Sequence, residues 1–280
     1  MHQRRDVSRH GPIAQLLIAW SPLSLILVAY LGAQWISAPL GIGDGADTNR
    51  LGLPLHVSGP ADADRTIFGT IPSVWLQQRL VDGAAHWYDA AAALVYVTHF
   101  VNIPIVTALV WFRLQDRFKG WVAAVLAFTV IGISGYVIYP AAPPWLAAEL
   151  GEIGRIDRIS SLGWDYLQLG PVGELTVLGQ AGSNPVAAMP SLHAGSALLV
   201  ALFLWPLAAR LWRAVLVGYV LSMGLTLVYT GEHYVIDVLA GWLVAVVAIA
   251  AVVVVPAVRS PRASWPAGAR TAASLSSRRQ

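Results

Sequence analysis

Two histidines and an aspartate stand where two long apolar segments begin. His193 lies within MPSLHAG at residues 189–195, and His233 and Asp237 lie within GEHYVID at residues 231–237. A membrane-spanning helix needs about 20 residues, so the roughly 40 residues between the histidines cover one crossing and one return. The three side chains are therefore predicted to converge at one face of a membrane.

The spacing of His233 and Asp237 suits an activated imidazole. Residues four apart at the start of a helix lie on the same face, one above the other. A carboxylate in that position accepts the proton of one imidazole nitrogen and fixes the tautomer. The other nitrogen is then available as a nucleophile or a base.

The residues before His193 are typical of a helix start. Pro190 and Ser191 favour such positions, which places His193 in a first turn whose free N–H groups bind anions, commonly phosphate. Ser191 can donate a hydrogen bond to that anion, and Gly195 permits close approach. A nucleophilic imidazole, a second imidazole that protonates a leaving oxygen and an anion site predict phosphoryl transfer through a phosphohistidine, which requires no cofactor.

The composition indicates an integral membrane protein. The 280 residues are 56% hydrophobic and only 12% charged, whereas globular proteins average about 25% charged residues. The chain contains no cysteine, which excludes a disulfide framework and a thiolate metal site.

The apolar segments predict an all-α integral membrane protein with six transmembrane helices and a short interfacial helix. A cleaved signal peptide is the alternative for the first segment, but its 24 residues exceed the usual apolar region of such a peptide. The interfacial helix is predicted at residues 71–81, which start with a proline and carry one apolar face. The six predicted spans are residues 13–36, 88–112, 121–139, 191–207, 212–229 and 233–255.

The chain divides into three parts on this interpretation. Residues 1–12 form a cytoplasmic N-terminal segment, and residues 13–257 form the six-span catalytic membrane domain, with its motifs within residues 88–255. Residues 258–280 are basic and rich in Ser, Ala and Pro, and they are predicted to form a disordered cytoplasmic tail.

The basic residues predict the orientation. The two terminal segments and the connections 113–119 and 208–213 hold most of the arginines and the one lysine, but few acidic residues. By the positive-inside rule both termini are cytoplasmic. His193, His233 and Asp237 then face the extracytoplasmic side of a multi-pass protein of the plasma membrane.

The two motifs together resemble a known family. Pro190-Ser191-x-His193 and Tyr229-x-Gly231-x-His233-x-x-x-Asp237 are similar to the second and third signature motifs of the type 2 phosphatidic acid phosphatase superfamily. The extended forms of these motifs are most similar to its inositol phosphorylceramide synthase branch. Residues 139–144, YPAAPP, and His99 with Pro104 also fit that branch.

The resemblance implies roles for the three residues. In the superfamily the residue at His233 is the nucleophile, the one at Asp237 orients it, and the one at His193 protonates the leaving group. His99 and Tyr234 are implied as substrate-binding residues.

The chain also departs from the phosphatase pattern. Thr226 and Leu227 stand where the phosphatases carry a Ser-Arg pair, and the first motif has no match because the only lysine, Lys119, lies on the opposite face. The synthase branch is reduced in the same way. A phosphodiester carries less charge than a phosphomonoester and needs fewer cations, and Arg158 is the candidate for the missing phosphate ligand.

These observations predict a lipid phosphotransferase. It would move a phosphoryl-linked head group, inositol phosphate above all, from a phospholipid donor to a lipid acceptor, and no nucleic acid is involved. The main alternative is a lipid phosphatase that hydrolyses a prenyl or diacylglycerol phosphate with water as acceptor.

Two further classes stay open, together with two residue assignments. His193, His233 and Asp237 could form a metal-binding facial triad, or the polar cluster could belong to a non-catalytic transporter. His99 either lines the site or links two helices. Glu232 is expected to be exposed.

Overall fold

The structure is a computed structural model that describes residues 11–38 and 47–259, and the side chains of its last helix as far as Val252. The predicted N-terminal segment lies outside the described residues except for its last two positions, and so does the predicted tail beyond residue 259. The helices are α1 (Pro12–Ser37), α2 (Gly59–Phe68), α3 (Pro72–Leu80), α4 (Trp87–Arg113), α5 (Phe118–Ile138), α6 (Pro144–Glu149), α7 (Gly163–Tyr166), α8 (Gly170–Ala181), α9 (Leu192–Leu204), α10 (Arg210–Tyr229) and α11 (Val235–Arg259).

The predicted all-α membrane fold is confirmed. Among the described residues, five helices are long and apolar enough to cross a membrane: α1, α4, α5, α10 and α11. The remaining predicted span, residues 191–207, corresponds to α9, which continues through a 3₁₀ turn to Leu207. Its length of about 26 Å falls short of a hydrocarbon core of about 30 Å. The count of six spans therefore stays a prediction.

The long helices form a bundle around an apolar core. The largest cluster of buried side chains joins α4, α5, α9 and α11 and includes Trp121, Val125, Phe128 and Leu199. Many large apolar side chains on the outer faces of α1, α4 and α10 are exposed. Such a surface is stable only when lipid tails cover it.

The loops that connect α1 to α4 and α5 to α9 meet at one end of the bundle, here called the site end. The Tyr30 hydroxyl accepts a hydrogen bond from the backbone N–H of Asn184, and the Tyr229 hydroxyl donates one to Asp89. The short connections before α5 and α10 lie at the opposite end.

Helices α9 and α11 cross closely, and two glycines permit the approach. A Cβ on Gly241 would lie 2.0 Å from the carbonyl oxygen of Ser191, and a Cβ on Gly195 would lie 2.7 Å from that of Gly241. The backbone N–H of Ser191 donates a 2.9 Å hydrogen bond to the carbonyl oxygen of Asp237. The start of α9 is thus fixed against the first turn of α11.

The predicted interfacial helix exists as α3, but its inner face is polar. Ser73 and Gln77 are buried, whereas Trp75 is 44% exposed. The Gln77 amide bonds to the backbone N–H and carbonyl of Asp157 and to the carbonyl of Tyr229. The helix is therefore a tie between the loops of the site end. The sequence patterns did not predict α2, α6, α7 and α8, which lie in segments read as polar loops.

The glycine crossing yields a test of packing. Gly241→Ala should destabilise the protein by about 1–3 kcal/mol, the usual cost of an overpacked contact, because the new methyl group meets backbone rather than a movable side chain. Gly218→Ala in α10 is the matched control, since a Cβ there meets no atom of the described residues within 4 Å. Apparent melting temperatures in detergent would check this, and equal values for the two variants would contradict it.

Candidate active site

The helix ends bring His193, His233 and Asp237 together. His193 lies in the first turn of α9, His233 lies two residues before α11, and Asp237 lies in the first turn of α11. Nε2 of His233 is 3.4 Å from Nδ1 of His193. Nδ1 of His233 is 3.6 Å from a carboxylate oxygen of Asp237.

The two nitrogens of His233 therefore have different neighbours. Nδ1 is buried on the Asp237 side and has no hydrogen-bond partner among the described residues. At 3.6 Å the contact with Asp237 is too long for a hydrogen bond, but catalytic hydrogen bonds are often long before substrate binds. Nε2 is directed towards His193. Asp237 can thus hold the proton on Nδ1 and leave the lone pair of Nε2 free.

Two carboxylates complete the start of α11. Asp237 accepts the backbone N–H of Tyr234, and Asp64 of α2 accepts those of Val235 and Ile236 at 2.9 and 3.0 Å. Asp64 is fully buried. Burial raises the pKa of its carboxyl, and the two N–H donors oppose that shift. This long-range cap fixes the turn that carries His233.

His193 is held between two rings of α4. The His99 ring lies 3.9 Å from the His193 ring, centroid to centroid, and Tyr96 stacks on it at 5.5 Å. Nδ1 of His99 is 3.2 Å from the Ser196 hydroxyl of α9. His99 therefore both lines the site and links two helices, the two roles that its sequence position left open.

A buried ion pair lies beside the histidines. Arg158 donates from Nε and Nη2 to the two oxygens of Glu232 at 2.9 and 2.8 Å, and its guanidinium lies over the Trp145 ring. Burial opposes the charge of Arg158, but the hydrogen bonds and charge of Glu232 outweigh it and raise the pKa of Arg158. Glu232 is only 5% exposed, so the expectation that it is exposed was wrong.

Further donors surround the Glu232 carboxylate. The Ser160 hydroxyl donates to Oε1 at 2.6 Å, and the Gln180 amide donates to the same oxygen at 3.0 Å. The Gln180 amide also donates to the Tyr96 hydroxyl. A continuous set of polar contacts therefore leads from the ion pair to the ring that stacks on His193.

Most of these groups line one end of a cavity of about 730 Å³, and Asp64, Ser160 and Asp237 lie behind its described lining. The polar residues of the lining at this end are Tyr96, His99, Arg158, Gln180, His193, Glu232 and His233. The opposite end is apolar and lies between α1 and α4, with Leu27, Leu31, Phe100 and Ile103 in its wall. Leu27 and Phe100 are more than half exposed on the bundle surface. The cavity can thus hold a charged group against His193 and His233 and an apolar group between the helices.

Three predicted phosphate contacts are not placed at this cavity. Its described lining does not include Ser191, Gly195 or Tyr234. Ser191 is buried and caps α9 by accepting the N–H of Ala194, and the close approach that Gly195 permits is to α5 and α11 rather than to an anion. Tyr234 is fully buried in a separate apolar cluster.

Two findings bear on the remaining assignments. Arg158 lines the same cavity as His233, and its role as a phosphate ligand stays a prediction. Among the described residues, no group of three or more His, Asp or Glu side chains is arranged to hold a metal ion.

The sequence analysis missed the residues that support the site from other segments. Asp64, Gln77, Ser160 and Gln180 each bond to a residue of the site end that lies 52 or more positions away in the sequence. Their local sequence is that of ordinary polar loops. Only the burial of polar groups in the folded chain identifies them.

The Asp64 cap yields a second test. Asp64→Ala should destabilise the protein by about 1–2 kcal/mol, because two helix N–H groups lose their acceptor. Amide hydrogen exchange at Val235 and Ile236 should rise with it. Asp62→Ala on the same helix is the control, since that carboxylate is 58% exposed and pairs only with the neighbouring Arg65. Unchanged exchange at the start of α11 in Asp64→Ala would show that the cap is dispensable.

The chain is similar to three curated relatives. It is 28% identical over 245 residues to the phosphoinositol dihydroceramide synthase of Bacteroides thetaiotaomicron, an alignment that covers 82% of this chain and 74% of the relative. It is 28% identical to the inositol phosphorylceramide synthase of Candida albicans over 55% of this chain, and 29% identical to the catalytic subunit of the Schizosaccharomyces pombe enzyme over 45%.

These alignments differ in how much of each relative they cover. The matched part is only about a third of each fungal protein, 33% and 31%. No solved structure matches the chain. The sequence model of the PAP2 superfamily matches residues 62–251, which include every polar group described around His193 and His233. The chain is therefore a member of the PAP2 superfamily.

Proposed function

We propose that this protein is a membrane enzyme that transfers a phosphoryl-linked head group, inositol phosphate above all, from a phospholipid to a lipid acceptor. One observation carries the proposal. His233 directs Nε2 towards His193 at the polar end of a cavity whose other end is apolar, and Asp237 lies behind its Nδ1. A lipid phosphate needs this combination, because its charged and apolar parts must be bound together.

In the first half-reaction, Nε2 of His233 attacks the phosphorus of the donor. A P–N bond forms and the P–O bond to the donor lipid breaks. The proton of the His193 imidazolium goes to the departing oxygen, so a neutral lipid alcohol leaves. Asp237 stabilises the positive charge that develops on His233 through the proton on Nδ1.

In the second half-reaction, the hydroxyl of the acceptor lipid attacks the phosphohistidine. His193, now neutral, takes the hydroxyl proton, a new P–O bond forms and the P–N bond breaks. His233 returns to its starting form and His193 is again protonated. Nε2 of His233 and Nδ1 of His193 are 3.4 Å apart in the structure. The two rings must therefore separate for a phosphoryl group to stand between them.

The cations of the site support a diester rather than a monoester as substrate. Thr226 and Leu227 replace the Ser-Arg pair of the phosphatases, and Arg158 is the cationic residue among the described residues that line the cavity. The three relatives are named as a phosphoinositol dihydroceramide synthase and as inositol phosphorylceramide synthases. Hydrolysis of a prenyl or diacylglycerol phosphate stays the second candidate, because water can replace the acceptor in the second half-reaction.

We propose the orientation in the plasma membrane from the charges of the two bundle ends. The connections at the opposite end carry a cluster of basic residues, whereas the site end carries most of the acidic ones. The positive-inside rule then places both termini in the cytoplasm and the cavity at the extracytoplasmic face. The basic residues of the two connections are Arg113, Arg117, Lys119, Arg210 and Arg213.

A product balance tests the reaction. Purified protein would receive phosphatidylinositol with or without a ceramide or diacylglycerol acceptor, and in a separate assay a lipid phosphomonoester. A new phosphoinositol lipid should form only with the acceptor, and His233→Ala should form none because the nucleophile is absent. Release of free phosphate from the monoester alone would identify the phosphatase instead, and substantial activity of His233→Ala would refute the assignment.

The Asp237 carboxylate yields a further prediction. Asp237→Asn should lower kcat about a hundredfold or more, because the amide no longer stabilises a protonated His233. The melting temperature should change little, since the amide oxygen can still accept the N–H of Tyr234. A wild-type kcat in this variant would exclude Asp237 from the mechanism.

A further inference from the structure

The charges that face the cavity balance one another. Among the described residues of its lining, Arg158 and Glu232 are the formally charged side chains, and the other titratable groups near the reaction centre are His99, His193 and His233. Asp237 adds a negative charge behind His233 but does not belong to the described lining. Glu232 thus cancels the charge of Arg158, and the one positive charge that the proposed mechanism adds to the lining is the proton on His193.

Glu232 is surrounded by hydrogen-bond donors. Its two oxygens accept four hydrogen bonds, two from Arg158 and one each from Ser160 and Gln180. Arg158 has five N–H donors and uses two of them on Glu232. It can therefore bind a phosphate oxygen with the rest while the carboxylate continues to cancel its charge.

We propose that Glu232 determines the charge selectivity of the site, so that the cavity accepts a singly charged phosphodiester and disfavours a doubly charged phosphomonoester. The inference rests on the proposed function and explains how the same superfamily site could favour transfer over monoester hydrolysis. A dianion loses far more hydration free energy than a monoanion on burial, and a lining whose one uncompensated positive charge is the proton on His193 matches a monoanion but not a dianion.

Removal of the Glu232 carboxylate should change the preference of the site between a dianion and a monoanion. Glu232→Gln leaves the positive charge of Arg158 uncompensated, and that charge attracts a dianion twice as strongly as a monoanion. At the separations inside one cavity, the difference corresponds to about tenfold or more in relative affinity. Glu232 thus acts on selectivity through Arg158 and the electrostatic potential, with no part in proton transfer.

The experiment compares two ligands that differ by one charge and one methyl group. Octyl methyl phosphate is a monoanion, and octyl phosphate at pH 8 is a dianion because its second pKa is about 6. Dissociation constants for both would be measured by calorimetry on wild type, Glu232→Gln and Asp165→Asn. The last variant is the matched control, since it removes one negative charge from an exposed position in α7, outside the described lining of the cavity.

The expected result is tighter binding of the diester by wild type and Asp165→Asn. In Glu232→Gln the preference should shift towards the monoester by about tenfold or more. A ratio within twofold of the wild-type value would overturn the proposal. Because binding is measured without turnover, this outcome is separate from failure of the product balance.

A wild-type measurement keeps the proposal testable if Glu232→Gln does not fold. Wild-type protein that binds octyl phosphate as tightly as octyl methyl phosphate, or more tightly, would also overturn it, whatever the variant does. In the product balance, the folded Glu232→Gln should show a higher ratio of monoester hydrolysis to head-group transfer than wild type, and an unchanged ratio would count against the role of the carboxylate.

Discussion

The close crossing of α9 and α11 is the contact on which the site depends. His193 lies at the start of α9 and His233 just before α11. Only the approach of these two helix starts brings the facing ring nitrogens within 3.4 Å of each other. Gly195 and Gly241 make that approach possible, because any side chain there would meet backbone of the other helix. The Ser191–Asp237 backbone hydrogen bond then fixes the register of the two helices. Packing of small residues is the usual way in which membrane helices approach closely, and here it also sets the distance between His193 and His233, the proposed proton donor and nucleophile.

Buried polar groups impose the second constraint. The first turn of a helix has unsatisfied N–H groups, and next to an apolar core each of them is costly if it stays unpaired. Asp64 and Asp237 satisfy those of α11, and Gln77 ties two loops through their backbone. Each of these bonds joins segments that are distant in the sequence. These bonds therefore hold the described segments of the site end together, and similar contacts hold Glu232 against Arg158.

The sequence predicted the parts of this protein that follow from local pattern. Apolar length located all the long helices, because it depends on local composition alone. The spacing of His233 and Asp237 predicted that they lie close together, but His233 precedes α11 rather than sharing a face of it with Asp237. The predictions failed where partners come from elsewhere in the chain. Tyr234 follows His233 directly in the sequence, yet its side chain packs in a separate apolar cluster. Glu232 looks like a loop residue until Arg158, Ser160 and Gln180 surround it. Gly195 was assigned to an anion, but its missing side chain makes room for α5 and α11.

The cavity also shows why a membrane enzyme places its chemistry at the ends of helices. Charged side chains are costly at the bilayer centre, whereas at helix ends they pair with loop residues such as Arg158 and with backbone N–H groups. The apolar end of the cavity extends between α1 and α4, where lipid tails replace water. Helix α1 precedes the residues that the superfamily model matches, yet it supplies part of that apolar wall. The polar end thus lies within the residues that the superfamily model matches, while part of the apolar wall lies outside them. Residues of the apolar wall can therefore change without a change in the groups around His193 and His233.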